Sequence, residues 1–378
     1  INLNFMKNQL PVKVFSAHPG SFATQDHLAE IQVNSYEWFK KDGLKELFKE
    51  VSPIKDYTGK EYEVNFVDYY FDEPKYDENQ SRLKDLTYEA SLRVKVKLFN
   101  KKLQSEKIQE VYFGDFPVMT DRGTFIINGV ERVVISQLIR SPGVYFTANI
   151  WRGKKLFGAK IIPGRGVWIE FETDSDGFIG IKIDRKRKVA ATDILRIFGV
   201  DDFSDLLKDV DTGAIKYIET TLKKSETKTL DESYIEVYKR VRPGDLATIE
   251  NMKSLIDSIF FRTDRYDLSD VGWFKTMSRL GLKEKATDKL LNSNILIAIL
   301  REIIRLNNDQ SSEPDDIDHL GNRRVKAVGE LIQSKMRVGL ARMRRIIQDR
   351  MSTISDDTIS PLQLVNSKPL ISVIREFF

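Results

Sequence analysis

The sequence predicts an α+β fold in two domains. At 378 residues the chain is longer than the roughly 150 residues typical of one domain. After residue 140, alternating patterns typical of strands come first and helical patterns come later, which is typical of the α+β class. Ser141, Pro142 and Gly143 separate two sets of strand patterns. We therefore expect a domain boundary near residue 140.

Residues before this boundary predict two short helices followed by antiparallel strands. Apolar residues recur at helical intervals over residues 25–51, and Gly43 predicts a break between two helices. Asn128-Gly129 predicts a type I′ hairpin turn between strands at 124–127 and 131–137. Three earlier stretches alternate as strands do: 62–70, 91–99 and 107–113.

Residues after the boundary predict a second set of strands and then helices. The strands are expected at 160–162, 167–172 and 178–183. Helices are expected at 191–198, 203–208, 232–241, 248–261 and 290–306. The polar stretch 307–314 predicts a linker, and apolar residues spaced three or four apart from Val325 to Ile347 predict a long amphipathic helix.

Composition excludes several classes of protein and site. The chain has no cysteine and only three histidines, so disulfides, thiolate metal sites and a zinc enzyme are not expected. The longest apolar run has six residues, Ile295 to Leu300, far short of the eighteen or so that a membrane span needs. We expect a cytoplasmic protein without membrane contact.

Positive charge is concentrated in two segments, although the net charge is only +4. Residues 140–188 hold eleven Lys or Arg against five Asp or Glu, and residues 323–350 hold nine against two. Such segments favour binding of a polyanion, with solvated surface as the plain alternative. Trp168, in the predicted strand 167–172, is either a stacking platform for an unpaired base or a half-buried residue of the sheet.

Two acidic clusters have the composition of metal sites. Residues 172–177 imitate the start of a calcium loop, but the twelfth position is Ile183 instead of glutamate, so a polar hairpin turn is the better interpretation. Asp315, Asp316, Asp318 and His319 allow a magnesium site of a phosphoryl-transfer enzyme. The simpler interpretation is a set of caps at the N-terminus of the following basic helix.

Six motifs together identify a resemblance. They are FPVMTDRGTFIINGVERVVISQLIRSPGVYF at 116–146, IIPGRGVWIEFE, IKIDRKRK, VRPGD, RYDLSDVG and DDIDHLGNRRVKAVGELIQ. In this order they resemble the N-terminal third of the bacterial RNA polymerase β subunit, over residues 25–378. The resemblance implies an α+β fragment in which a protrusion domain is interrupted by an inserted lobe: an N-terminal arm at 1–24, protrusion at 25–139, lobe at 140–309 and returning protrusion at 310–378.

The resemblance also implies a set of nucleic-acid-binding residues. Trp168 would stack on an unpaired non-template base, and Asp318 would accept hydrogen bonds from the following guanine. Completing this pocket would be Arg140, Asp184, Ile317 and Arg323. Arg132 and Gln137 match the rim of an inhibitor pocket. The sequence departs from the family at Lys326 and Trp273, where arginine and a basic residue are usual.

The function implied is one jaw of the DNA cleft in a nucleotidyltransferase, with no catalytic or metal-binding residue in this fragment. Mg²⁺ would be held by the β′ subunit. Implied partners are the non-template strand and downstream duplex DNA, the remainder of β, the β′, α, ω and σ subunits, and transcription factors on the protrusion and lobe. One alternative is a freestanding nucleic-acid-binding or protein-interaction module, and another is a phosphoryl-transfer enzyme centred on Asp315, Asp316 and Asp318.

Overall fold

A computed structural model describes residues 29–201, 203, 213–225, 227–283, 288–309, 311–353 and 359–378. The described chain divides into two compact units. Unit 1 contains the residues up to Gln137 together with Lys326–Phe378, and unit 2 is Leu138–Val325. The predicted arm at 1–24 and most of the predicted helix at 203–208 lie outside the described residues.

Unit 1 begins with a helical segment that the sequence divides wrongly. Helix α1 (Glu30–Trp38) continues through a π-helical turn (Phe39–Gly43) into α2 (Leu44–Val51) without a break. Gly43 keeps helical angles, with φ −60° and ψ −39°. It is buried, and a Cβ there would lie 3.3 Å from the Trp38 ring. Gly43 therefore allows close packing and does not end the helix.

An antiparallel sheet of four strands forms the centre of unit 1, in the order β1-β2-β3-β4. The strands are β1 (Ile54–Lys55), β2 (Tyr62–Phe71), β3 (Glu89–Asn100) and β4 (Ser105–Pro117), with the short helix α3 (Glu78–Leu83) between β2 and β3. Every second residue of β3 is buried, including Leu92, Val94 and Val96. The three strands expected from alternation are thus confirmed, because one face of the sheet covers the core.

The predicted hairpin is confirmed as strands β5 (Phe125–Ile127) and β6 (Val130–Arg132). Its turn residues Asn128 and Gly129 have φ angles of 50° and 76°. Two positive φ angles are what a type I′ turn requires. The second strand ends at Arg132 instead of residue 137, and Gln137 begins a separate strand.

Unit 2 is built on an antiparallel sheet of five strands in the order β12-β11-β10-β9-β8. The strands are β8 (Gly143–Trp151), β9 (Lys154–Ile162), β10 (Ile169–Thr173), β11 (Ile179–Ile183) and β12 (Val189–Ala190). Before them comes β7 (Gln137–Arg140). Sequence patterns did not predict β8, whose first half is buried on both faces and whose second half is largely exposed, so apolar and polar residues do not alternate.

Helices cover this sheet and share one hydrophobic core with it. They are α4 (Ala191–Ile197), α5 (Gly213–Lys224), α6 (Leu230–Val241), α7 (Ile249–Phe260), α8 (Ser269–Leu280) and α9 (Ser293–Asn308). The sequence did not predict α5 or α8. With helices and antiparallel sheets in both units, the α+β class is confirmed. No helix in the described part of the chain has the length and apolar content needed to cross a membrane.

The polar stretch after α9 follows the edge of the unit 2 sheet and is not a free linker. The backbone N–H of Asp315 donates to Phe146 O, and the N–H of Phe146 donates to the Asp315 carboxylate, both at 2.8 Å. Lys155 Nζ donates to Ser312 O at 3.0 Å. Because β8 is an edge strand, these hydrogen bonds pair with polar groups along its otherwise open edge. The second boundary accordingly lies at Val325, later than the predicted residue 309.

The chain returns to unit 1 through β13 (Arg323–Lys326), which pairs with β7. Three helices follow: α10 (Val328–Thr353), α11 (Pro361–Leu364) and α12 (Lys368–Phe377). The long amphipathic helix is confirmed, and its buried residues include Ile332, Met336 and Leu340. Val325 was included wrongly, because it lies in β13 and is exposed.

Candidate nucleic-acid interface

One end of the unit 2 sheet brings several predicted site residues into the same region. Ile161 pairs with both Val144 and Ile169, and Ile169 pairs with Ile183. These residues therefore form one row across four strands. Trp168 directly precedes Ile169, the first residue of β10, and Asp184 directly follows Ile183, the last residue of β11. Strand β8 begins shortly after Arg140.

Trp168 lies just before β10, so its predicted place within a strand at 167–172 is wrong. Its ring is half-buried, and its carbonyl accepts a hydrogen bond from the Asp184 N–H at 2.9 Å. The Arg185 guanidinium carbon lies over the indole, 5.6 Å from the ring centroid. A cation–π contact of this kind is attractive at such distances. The structure thus brings Trp168 and Asp184 together and adds Arg185.

The loop before Trp168 is held by the segment that precedes α8. Arg165 and Asp267 exchange two backbone hydrogen bonds, both 2.9 Å long. Gly166 has φ +115°, and a Cβ at this position would lie 2.7 Å from the Tyr266 ring. Only glycine combines this backbone conformation with such a close approach. The position of Trp168 is therefore fixed by buried packing on its N-terminal side.

A second group of predicted residues lies around β7 and β13. Arg140 Nη2 is 3.3 Å from Asp318 Oδ1, and the Asp318 side chain remains 75% exposed. The Asp318 N–H donates to Asp316 Oδ1 at 3.0 Å, which fixes the backbone beneath this carboxylate. Arg323 Nη2 donates to Leu138 O at 3.2 Å. Asp318 is thus held in place while its carboxylate stays open to solvent.

Helix α8 supports this second group. Lys275 Nζ donates to Gly321 O at 3.2 Å and is 3.3 Å from Asn322 Oδ1. The N–H of Ser141 donates to Asn322 O at 2.9 Å. On another face of α8, Trp273 packs against the unit 2 core, and this packing accounts for an apolar residue where the family has a basic one.

The six predicted pocket residues therefore form two contact groups. Trp168 and Asp184 form one, whereas Arg140, Asp318 and Arg323 form the other, with half-buried Ile317 next to Asp318. Within the described residues, no hydrogen bond or ion pair joins the first group to the second.

The calcium-like stretch is a polar hairpin turn between β10 and β11, as interpreted. Gly177 has φ +94°, and Lys224 pairs with Asp176. Lys182 and Lys188 pair with Glu172 at 2.6 and 2.8 Å. Burial raises the pKa of Glu172, but the hydrogen bonds from these lysines outweigh burial and leave its pKa lowered. The carboxylates of this turn are thus neutralised by lysine.

The acidic stretch 315–319 does not cap the long helix, because β13 lies between them. Asp315 pairs with Arg279 at 3.3 Å. His319 Nδ1 instead accepts the Gly321 N–H at 3.0 Å and caps a short 3₁₀ turn. In the described ranges, no group of three or more His, Asp or Glu side chains is placed to hold a metal ion.

Arg132 and Gln137 lie in unit 1, where both are exposed and border a cavity of about 460 Å³. Arg132 Nη1 donates to Phe378 O at 2.9 Å. Lys326, the other departure from the family, borders the same cavity. Its volume is within the range of small-molecule sites.

Sequence reasoning missed the role of Arg185 beside Trp168. The motif IKIDRKRK entered the prediction only through its resemblance to the family. A run of four cations that begins one residue after the predicted strand 178–183, directly after Asp184, was the available signal. Because the pairing of β10 with β11 could not be read from spacing, nothing connected this run to Trp168.

Comparison with known proteins supports the division of the chain. The sequence model of the family described as RNA polymerase Rpb2, domain 2, matches residues 140–326, which nearly coincide with unit 2. The chain is 44% identical over 386 aligned residues to the DNA-directed RNA polymerase subunit beta of Chloroflexus aggregans. The alignment covers 93% of this chain and 31% of that relative. By this similarity the chain is a relative of DNA-directed RNA polymerase β subunits, and it spans about a third of the length of the one that it matches.

Proposed function

We propose that this chain forms one jaw of the DNA cleft of a multisubunit RNA polymerase and that unit 2 holds the unpaired, downstream non-template strand. The 44% identity to a polymerase β subunit supports the assignment to such an enzyme. The chain would assemble with the remainder of β and with β′, α, ω and σ subunits. Nucleotidyl transfer would take place elsewhere in that assembly, with Mg²⁺ held by β′.

The observation that carries this proposal is the tryptophan at the end of the unit 2 sheet. Trp168 is half-buried, so its ring is fixed and yet accessible in part. Asp184 and Arg185 hold it through a backbone hydrogen bond and a cation–π contact. A fixed aromatic face beside cations is the usual means of holding an unpaired base.

Asp318 supplies the second part of the proposed pocket. A carboxylate would repel a phosphate, but its two oxygens match the adjacent N–H donors on the Watson–Crick edge of guanine. The ion pair with Arg140 orients the carboxylate and offsets its charge. We therefore assign guanine recognition to Asp318 and its positioning to Arg140.

Replacement of Asp318 tests this assignment in a polymerase assembled with the variant β subunit. Asp318→Ala should reduce the preference for guanine at one downstream non-template position by about 1 to 3 kcal/mol, the value of a good base contact. The measurement is the stability of complexes that carry each of the four bases there.

Asp176→Ala is the matched control, because Asp176 is also an exposed, ion-paired carboxylate of unit 2 but lies in the β10–β11 turn. It should leave the base preference unchanged. An unaltered guanine preference in Asp318→Ala would remove Asp318 from the pocket.

A further inference from the structure

The turn after β11 has an unusual backbone for its residues. Asp184 and Arg185 have φ angles of 50° and 59°, and the Lys186 N–H donates to Ile183 O at 3.0 Å. This is a two-residue turn with positive φ at both central positions, where glycine is preferred at the second. An arginine in this conformation is uncommon.

Two other tight turns of the chain have the residue that is usual at the second central position. The Asn128-Gly129 and Arg152-Gly153 turns also have positive φ at both positions, and each has glycine second. The 184–185 turn instead keeps a cationic side chain at the strained position. Strained residues of this kind concentrate at ligand-binding sites.

Charge pairing changes abruptly along this stretch. Lys182, before the turn, pairs with Glu172, and Lys188, after it, pairs with Glu172 and Asp174. The cations between these two lysines are Arg185, Lys186 and Arg187. All three are exposed, and none has a carboxylate partner within the part of the chain that the structure describes. Three cations thus accompany one carboxylate, that of Asp184.

The turn is also joined to the aromatic platform. Its first residue, Asp184, donates its N–H to the Trp168 carbonyl, and Arg185 lies over the Trp168 ring. Unpaired cations and an aromatic ring are therefore presented together. A single-stranded nucleic acid offers both complementary groups, a base for the ring and phosphates for the cations.

We propose that Arg185, Lys186 and Arg187 bind the phosphates of the strand whose base stacks on Trp168. This proposal rests on the proposed function and adds the backbone contacts to it. An acidic protein segment would satisfy the cations but offers no base to the partly accessible Trp168 ring, so the structure favours the nucleic acid.

Salt dependence measures the phosphate contacts directly. A polymerase assembled with the variant β subunit would be bound to DNA that carries 2-aminopurine at the unpaired non-template position. Each single-strand phosphate contact contributes about 0.7 to the slope of log K against log salt. Replacing all three cations (Arg185→Gly, Lys186→Gln and Arg187→Gln) should therefore make this slope shallower by about 2.

The variants separate folding from binding. Glycine fits φ 59° better than arginine does, so Arg185→Gly should leave the thermal unfolding temperature unchanged or raise it. The matched control is the double variant Arg152→Gln, Lys154→Gln. These exposed cations follow Trp151 at the opposite end of the sheet, where Arg152 lies 5.7 Å from the Trp151 ring, and their loss should leave the slope unchanged.

The results distinguish failure of the phosphate contacts from failure of the proposed function. An unchanged slope in the triple variant, with the 2-aminopurine base still released by Trp168→Ala, would overturn the phosphate contacts and leave the proposed function standing. If Trp168→Ala releases no base, the proposed function fails together with the inference that depends on it. Displacement of the turn's ligand by polyglutamate but not by single-stranded DNA would also overturn the proposal, in favour of an acidic protein segment.

Discussion

Asp56 shows how a single side chain organises a turn in unit 1. Its Oδ1 accepts the N–H groups of Glu61 and Tyr62, each at 3.2 Å, and its Oδ2 accepts from Thr58. Burial of the carboxyl raises its pKa, but the hydrogen bonds from Thr58 and the backbone outweigh burial and lower the pKa of Asp56 to about 2. The ionised carboxylate therefore stabilises the folded state.

This shift predicts a pH-dependent effect of Asp56→Asn. The folded pKa is below the ordinary value of 3.8, so the stabilisation is complete above pH 4 and is lost as the pH falls towards 2. The variant should lower the free energy of unfolding by about 2 kcal/mol at neutral pH and by much less near pH 2.

Denaturant unfolding at several pH values measures this difference. Asp121→Asn is the control, because Asp121 is exposed, and it should have little effect at any pH. A loss of stability in Asp56→Asn that is the same at pH 7 and pH 2 would contradict the role assigned to the ionised carboxylate.

Among the elements, the contact between α1 and α10 depends on one glycine. The Gly329 N–H donates to Ser35 Oγ at 2.9 Å. A Cβ on Gly329 would lie 2.0 Å from the backbone oxygen of Ser35, and a backbone atom cannot move aside as a side chain can. Gly329→Ala should therefore destabilise the protein by about 3 kcal/mol or more, beyond the usual cost of overpacking.

Gly339→Ala on the same helix is the comparison. Its Cβ would lie 3.0 Å from Leu370 Cδ1 and 3.1 Å from Leu370 Cα, so a shift of a few tenths of an ångström accommodates it, and alanine favours the helix by up to about 1 kcal/mol. Thermal unfolding should show a large loss for Gly329→Ala and a small change for Gly339→Ala. Equal losses would mean that the close approach to Ser35 does not limit this packing.

Elements with a regular exposure pattern could be predicted from the sequence, and irregular ones could not. Strand β3 alternates along its whole length. Helix α8 was missed, since it contains Gly272, whose Cβ would lie 2.8 Å from Pro142 Cβ. Asn307 was placed in a linker because it is polar, yet it is buried in α9, where its amide donates to Phe157 O and its oxygen accepts the Phe157 N–H. Polarity indicates exposure only when no internal partner is present.

For the whole molecule, the structure divides the chain after Gln137 and after Val325, and the sequence predicts boundaries near residue 140 and at residue 309. The second boundary depends on Asp315 pairing with Phe146, a contact between residues far apart in the chain that spacing does not reveal. The candidate site was predicted in the same incomplete way. The residue pattern singled out Trp168 as one of two alternatives and the resemblance supplied the role of Asp318, whereas Arg185 emerged from strand pairing.

Photocrosslinking most directly tests whether unit 2 holds the unpaired strand. A polymerase assembled with the β subunit would be bound to DNA with a photoreactive base at the unpaired downstream non-template position, and the crosslinked peptides would be identified by mass spectrometry. We predict crosslinks within residues 163–188, lost in Trp168→Ala and retained in Trp151→Ala, whose Trp151 is exposed at the opposite end of the sheet. Crosslinks found entirely outside residues 138–325, or unaffected by Trp168→Ala, would contradict the proposed function.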